Sequence, residues 1–210
     1  MTSFSYLLGC NHSLAFNGRA LGQAVAFPAP SDQQPVANHI GRVAVYVRLR
    51  PAAWPLRWNN PGPPNPVDCA LAEIRASTVV APRTVITGPI ALGTPVRKIG
   101  RTSGHTSSTI RIKKLSGFVD LGGGTYYFDD YVGVVSDPPF AHPGDSGALA
   151  VVKTSAPGDL TGIGLVTART YCPSDPYKGY IVAICRLENV LDHLAAQIRV
   201  APGQMTVKSL

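Results

Sequence analysis

The sequence predicts an all-β fold, a barrel or sandwich with one terminal helix, and three observations carry that prediction. Short apolar or alternating runs recur between turn signals along most of the 210 residues. The 21 glycines and 19 prolines are dispersed between those runs and form no low-complexity block. Only one stretch carries an apolar stripe at helical spacing.

In chain order, strand-like runs lie at 6–10, 21–27, 41–49, 69–74 and 84–90. The segment 51–66 holds six prolines with Trp54 and Trp58, so it cannot continue a sheet and reads as a loop. Its tryptophans either pad the edge of the core or form a substrate-contacting rim. After a milder break at 91–95, a second series follows at 96–100, 109–113, 126–135, 148–152, 161–167 and 179–183. At 186–200 the positions Leu187, Val190, Leu191, Leu194 and Ile198 form the apolar stripe of an amphipathic helix. Residues 201–210 read as a loose tail. The expected organisation is therefore an amino-terminal segment 1–95, a second segment 96–200 and the tail.

Charge narrows the function classes. The net charge of +7 favours acidic partners, yet Arg42, Arg48, Arg57, Arg97, Arg101 and Arg111 are scattered, and of the lysines only Lys113 and Lys114 adjoin. No basic stripe with interleaved aromatics emerges, so nucleic-acid binding is disfavoured. No apolar run is long enough to span a bilayer, and no lysine or arginine precedes Arg19, so a secretory signal is not expected. The chain as written reads as soluble. Cys10, Cys69, Cys172 and Cys185 show no metal-type spacing, and their disulfide state is open.

The turn Gly-Asp-Ser-Gly at 144–147 raises the question of a nucleophile. A serine hydroxyl attacks a carbonyl only when a base takes its proton and a third group orients that base. His12 lies where the first apolar run turns polar, a place from which an imidazole can be aimed. Asp68 lies between the proline-rich loop and an almost continuously apolar strand, where an ionised carboxylate is costly without a partner. Asp32, Asp120, Asp129, Asp130 and Asp137 lack such a setting. Among the other histidines, His39 reads as a strand-end residue and His105 and His193 as structural or solvated, while His142 stands four residues before the serine.

Four stretches together carry a resemblance: Asn-His-Ser-Leu-Ala at 11–15, Val-Asp-Cys-Ala-Leu-Ala at 67–72, Lys-Ile-Gly-Arg-Thr-Ser-Gly-His-Thr-Ser-Ser-Thr-Ile at 98–110, and Gly-Asp-Ser-Gly at 144–147. With His, Asp and Ser in that order, the chain resembles the trypsin-like serine peptidases of the chymotrypsin fold, the bacterial members in particular. The resemblance implies two packed antiparallel β-barrels with a carboxy-terminal helix. It also implies Ser146 as nucleophile, His12 as general base and then acid, and Asp68 as the orienting carboxylate. The backbone N–H groups of Gly144 and Ser146 would form the oxyanion hole, and Asp145 would support the turn. Phe140 falls at the floor of the substrate pocket, Leu165, Val166 and Thr167 along one wall, and His142 nearby. No acid stands at the Phe140 position, so a preference for Arg or Lys is not implied. Peptides or proteins are the implied substrates, with no metal or organic cofactor.

The sequence departs from the pattern in two places. Only eleven residues precede His12, so the first barrel is expected to be incomplete, and Ala148 stands where the family has glycine. The short start leaves open an upstream start, a strand supplied by a partner, or a degraded relative that binds peptides or a protein without cleaving them.

Overall fold

Two mainly antiparallel sheets build the structure, a computed structural model that describes residues 5–27, 38–74, 83–87, 90–153, 160–199 and 207–209. The first contains β1 (Ser5–Gly9), β2 (Ala24–Phe27), β3 (Asn38–Tyr46) and β4 (Ala70–Ile74) in the order β1-β4-β3-β2. It stays open among the described residues, with β1 and β2 at its edges, as expected for an incomplete first barrel.

The second sheet closes. Its strands are β6 (Pro95–Gly100), β7 (Gly104–Asp120), β8 (Thr125–Ser136), β9 (Leu149–Lys153), β10 (Leu160–Cys172) and β11 (Gly179–Arg186). β6 pairs with β7, β7 with β8, β8 with β11, β11 with β10, β10 with β9 and β9 with β6, every pair antiparallel. That ring is a six-stranded barrel without a free edge. β7 runs well beyond the expected 109–113, because register shifts between Ile110 and Gly117 break the two-residue alternation that the sequence reading relies on, whereas β8 matches the expected 126–135 to within one residue at each end.

β5 (Arg83–Thr87) differs from expectation in its partner. It belongs in sequence to the amino-terminal segment, yet it lies parallel to β10 at 160–162, in the second sheet. The loose tail also needs correction: β12 (Val207–Ser209) pairs with Arg83, Thr84 and Val85 of β5. Residues 201–206, 210 and Asp32 lie outside the described residues.

The expected helix forms as α2 (Leu187–Ile198) and buries Leu187, Val190, Leu194 and Ala195. It ends at Arg199, which adopts the left-handed conformation. Val190 and Leu194 enter a core cluster with Cys10, Leu49, Val67, Cys69 and Leu71 from the amino-terminal half and Phe128, Tyr131, Leu165 and Cys185 from the barrel. Each such Leu or Val contributes roughly 1.5–3 kcal/mol on burial. The open sheet is thus held by apolar contact with the barrel and α2. Among the described residues no helix is long and apolar enough to cross a membrane.

The loop at 51–66 does not end in solvent. Ala52 donates its N–H to Thr125 O at 2.8 Å and Asn65 donates its N–H to Tyr127 O at 2.8 Å, so the loop lies along β8. Its tryptophans do not pad the core. Trp54 is 86% and Trp58 73% exposed, and Trp58 meets only the edge of Phe118 at a 5.0 Å centroid distance.

Candidate active site

His12 lies on a single helical turn, α1 (Asn11–Leu14), directly after β1. Two asparagines fix that turn. The buried Asn11 amide donates to Val47 O at 2.7 Å, and its side-chain oxygen accepts the Asn17 N–H at 3.0 Å. Asn17, with φ of 53°, bonds both ways to the Leu49 backbone, at 3.0 and 2.9 Å. Asn tolerates this left-handed backbone, and its amide offers the donor and acceptor that strand ends leave wanting.

Asp68 stands two residues before the buried strand β4, and its side chain is wholly enclosed. One carboxylate oxygen accepts the His12 backbone N–H at 3.0 Å, and the other lies 2.5 Å from His12 Nδ1. A carboxylate only accepts, so Nδ1 carries the ring proton and Nε2 remains the basic nitrogen. The His12 side chain retains 16% exposure, enough to meet a reactant.

The Ser146 turn reaches this pair through Val166. The Val166 carbonyl accepts the Gly147 N–H at 2.8 Å and the Cys10 thiol at 3.2 Å, joining the residue after Ser146 to the residue that opens the His12 turn. Gly147 has φ of +89°, and a Cβ there would stand 3.2 Å from Cys10 N. Only glycine suits both constraints. Gly147→Ala is therefore expected to cost about 1–3 kcal/mol, read as a fall of several degrees in Tm, and to lower any activity that needs the turn. Unchanged Tm and activity would contradict this reading of the turn.

The turn itself has an unequal hydrogen-bond pattern. The N–H groups of Asp145, Gly147 and Ala148 donate to His142 O, Val166 O and Asp145 O. Among the described residues, the N–H groups of Gly144 and Ser146 have no acceptor, and Ser146 Oγ makes no hydrogen bond to His12 or any other group. Two spare donors on either side of Asp145 suit a developing negative charge.

Asp145 anchors the turn from inside, as expected, and Lys98 is the partner that the sequence reading missed. Asp145 Oδ1 accepts the N–H groups of Thr102 and Ser103 at 2.8 and 3.1 Å, and Oδ2 accepts the Ser103 hydroxyl at 2.5 Å and the His142 N–H at 2.9 Å. Lys98 Nζ lies 3.1 Å from Oδ2, with both side chains fully buried. Alternation along β6 could have revealed it, because Lys98 shares the buried face of Val96. Burial alone would push the Asp145 carboxyl up, but the bonds from Ser103, His142 and Thr102 outweigh it and hold the group well below the usual carboxylate range. A carboxyl depressed in the folded state stabilises the fold above its ordinary value of 3.8, and that stabilisation fades as pH falls below 3.8. Urea unfolding midpoints are accordingly expected to fall between pH 4 and 2, more gently in Asp145→Asn. Parallel slopes would show that Asp145 is not the acid-sensitive anchor.

The remaining candidates separate by burial. Phe140, Leu165, Val166 and Thr167 are all buried, so any pocket wall they make is offered mainly by backbone, whereas His142 is exposed. Phe140 packs in the barrel core and its ring stands 5.7 Å from Lys98 Nζ. His39 and His105 are exposed on β3 and β7, and His193 donates from Nδ1 to Asn189 O at 2.8 Å within α2. Cys10, His12 and Asp68 bring three ligand-type atoms within 4.8 Å of one another. A metal would need the Cys10 thiolate, but burial and then the Asp68 charge push that thiol well above 9.0. Burial likewise raises Cys69, and Cys185 to about 12. All four cysteines are free thiols, and the three buried ones are poor nucleophiles.

No protein-family profile and no curated protein matches the sequence. Solved structures do match the fold. A glutamic acid specific serine protease superposes with a TM-score of 0.55 at 14% identity, covering 90% of this chain and 84% of that one. Thermobifida fusca protease A gives 0.55 at 19% identity over 92% and 83%, and Cellulomonas bogoriensis chymotrypsin 0.54 at 16% over 90% and 82%.

Proposed function

From the premise that this chain has the fold of bacterial chymotrypsin-like serine proteases, we propose that it is a serine endopeptidase working through Ser146, His12 and Asp68. In this reading segment 1–95 supplies the base and its carboxylate, and segment 96–200 supplies the nucleophile. The observation that carries it is the buried Asp68 on His12 Nδ1, on a helical turn tied to the Ser146 turn through one carbonyl, that of Val166.

The chemistry follows from those groups. His12 Nε2 takes the Ser146 proton as Oγ attacks the substrate carbonyl, and Asp68 stabilises the imidazolium that results. The N–H groups of Gly144 and Ser146 receive the oxyanion. His12 then protonates the leaving amine, and water repeats the sequence to release the acyl group. Peptide lies along β10, over the wall formed by Leu165, Val166 and Thr167, with Phe140 beneath and His142 at the rim. No step calls for a metal or organic cofactor. An active-site-directed fluorophosphonate should label the protein at Ser146, and labelling that survives Ser146→Ala would sink the assignment.

A second reading is a peptide-binding domain that does not cleave. The open four-stranded sheet behind His12 and the unbonded Ser146 Oγ favour it. Catalytic hydrogen bonds are often loose without substrate and tighten in the complex, which weighs against it. The same labelling experiment separates the two.

A further inference from the structure

We propose that Arg169, with His142 beside it, recognises an acidic side chain in the bound peptide, so that the site prefers Glu or Asp at the residue whose carbonyl faces Ser146. The proposal rests on the peptide-cleaving or peptide-binding reading of the cleft and adds the substrate class.

Arg169 lies on β10 three residues beyond Val166, the residue that bonds the Ser146 turn. Its guanidinium reaches back to the same turn: Nη1 donates to Ala141 O at 3.2 Å and stands 3.5 Å from His142 Nδ1. The guanidinium carbon sits 5.1 Å from the centre of the Tyr180 ring, and Tyr180 in turn meets Tyr171 edge-on at 5.1 Å. An aromatic shelf and a carbonyl thus hold a planar cation at the rim of the cleft. Among the described residues no carboxylate partners it.

Chemistry then selects the ligand. A guanidinium has five N–H donors, and these contacts engage only Nη1, so the other donors of its fork stay open to a carboxylate. His142 Nδ1 faces a donor, which makes it the acceptor and puts the proton of the neutral ring on Nε2, one more donor toward an anion. The other charges at this turn do not oppose it, because Asp145 is already paired with Lys98 inside. An amide side chain would gain hydrogen bonds there without the charge, and a lysine would be repelled.

The test uses Ser146→Ala, which removes turnover, and carboxy-amidated fluorescent tetrapeptides that differ only in the last residue. The Glu peptide is expected to bind roughly 10- to 100-fold tighter than the Gln peptide. Adding Arg169→Gln should bring the two within about threefold, and Arg169→Glu should favour Lys at the same position. Equal affinity for Glu and Gln, including no binding of either, or a preference that survives Arg169→Gln, would overturn the proposal. A Glu preference that depends on Arg169, in a protein whose unsubstituted form neither cleaves peptides nor reacts with fluorophosphonate, would uphold it and remove the peptidase reading alone.

Discussion

Ser146→Ala and His12→Ala are each expected to lower peptide hydrolysis roughly 10⁶-fold, with the double variant no worse than either single one. In the proposed mechanism the two residues act as a unit: without the base the hydroxyl keeps its proton, and without the hydroxyl the base has nothing to activate. Asp68→Asn should cost about 10⁴ with the fold intact. Its amide would donate to His12 Nδ1, where Asp68 now accepts, and would force the ring proton onto Nε2. The imidazole would then face substrate in the wrong tautomer. The decisive measurement is kcat/KM for the parent and all four variants on one peptide, with circular dichroism to verify folding. Losses that multiply in the double variant, or an Asp68→Asn protein as active as its parent, would refute the relay.

The largest stability effect is expected inside the turn. Asp145→Asn leaves the Lys98 ammonium fully buried without its counter-charge, a change that costs about 3–5 kcal/mol and lowers Tm by roughly 10 °C or more. Lys98→Met fills the same space without charge but strands the carboxylate, which keeps its four other hydrogen bonds, so a smaller loss is expected. Lys98→Met with Asp145→Asn should recover much of the stability, since no buried charge then stands alone. Activity is not expected to recover with it, because the carboxylate that receives the N–H groups of His142, Thr102 and Ser103 ties the backbone ahead of Ser146 to the turn at 102–103. Urea unfolding beside kinetics on the three variants checks both halves. A double variant no more stable than Asp145→Asn would show that the pair is not energetically coupled.

What could be read from the sequence follows from the range of each signal. α2 was legible because an apolar stripe at helical period is a local property, and Leu187, Val190 and Leu194 are buried as expected. Asp68 stood out because it borders a strand with no polar relief, and its full enclosure follows from that position. Lys98 enters the sequence reading only as the first residue of the 98–110 motif, although its alternation with Val96 marks the buried face. The pairing of β5 with β10 and β12 was beyond reach, because nothing local in Arg83–Thr87 distinguishes a strand of one sheet from a strand of the other. For Trp54 and Trp58 only the core-edge alternative fails: aromatic residues in a loop suggest packing, yet the loop is bound through its backbone to β8 and both rings are exposed. Asn11 was seen only as part of a motif, and its hold on Val47 depends on a strand end far along the chain.

The core shared by the open sheet, the barrel and α2 also sets a timetable for the nascent chain. Cys10 and Leu71 pack with Leu165, Cys185, Val190 and Leu194, so this part of the early half's apolar surface stays uncovered until the late half has emerged. At roughly 5–20 residues per second, that interval is on the order of ten seconds. His12 and Asp68 leave the ribosome long before the late elements of that core, and the apolar face of the amino-terminal half waits uncovered for that time.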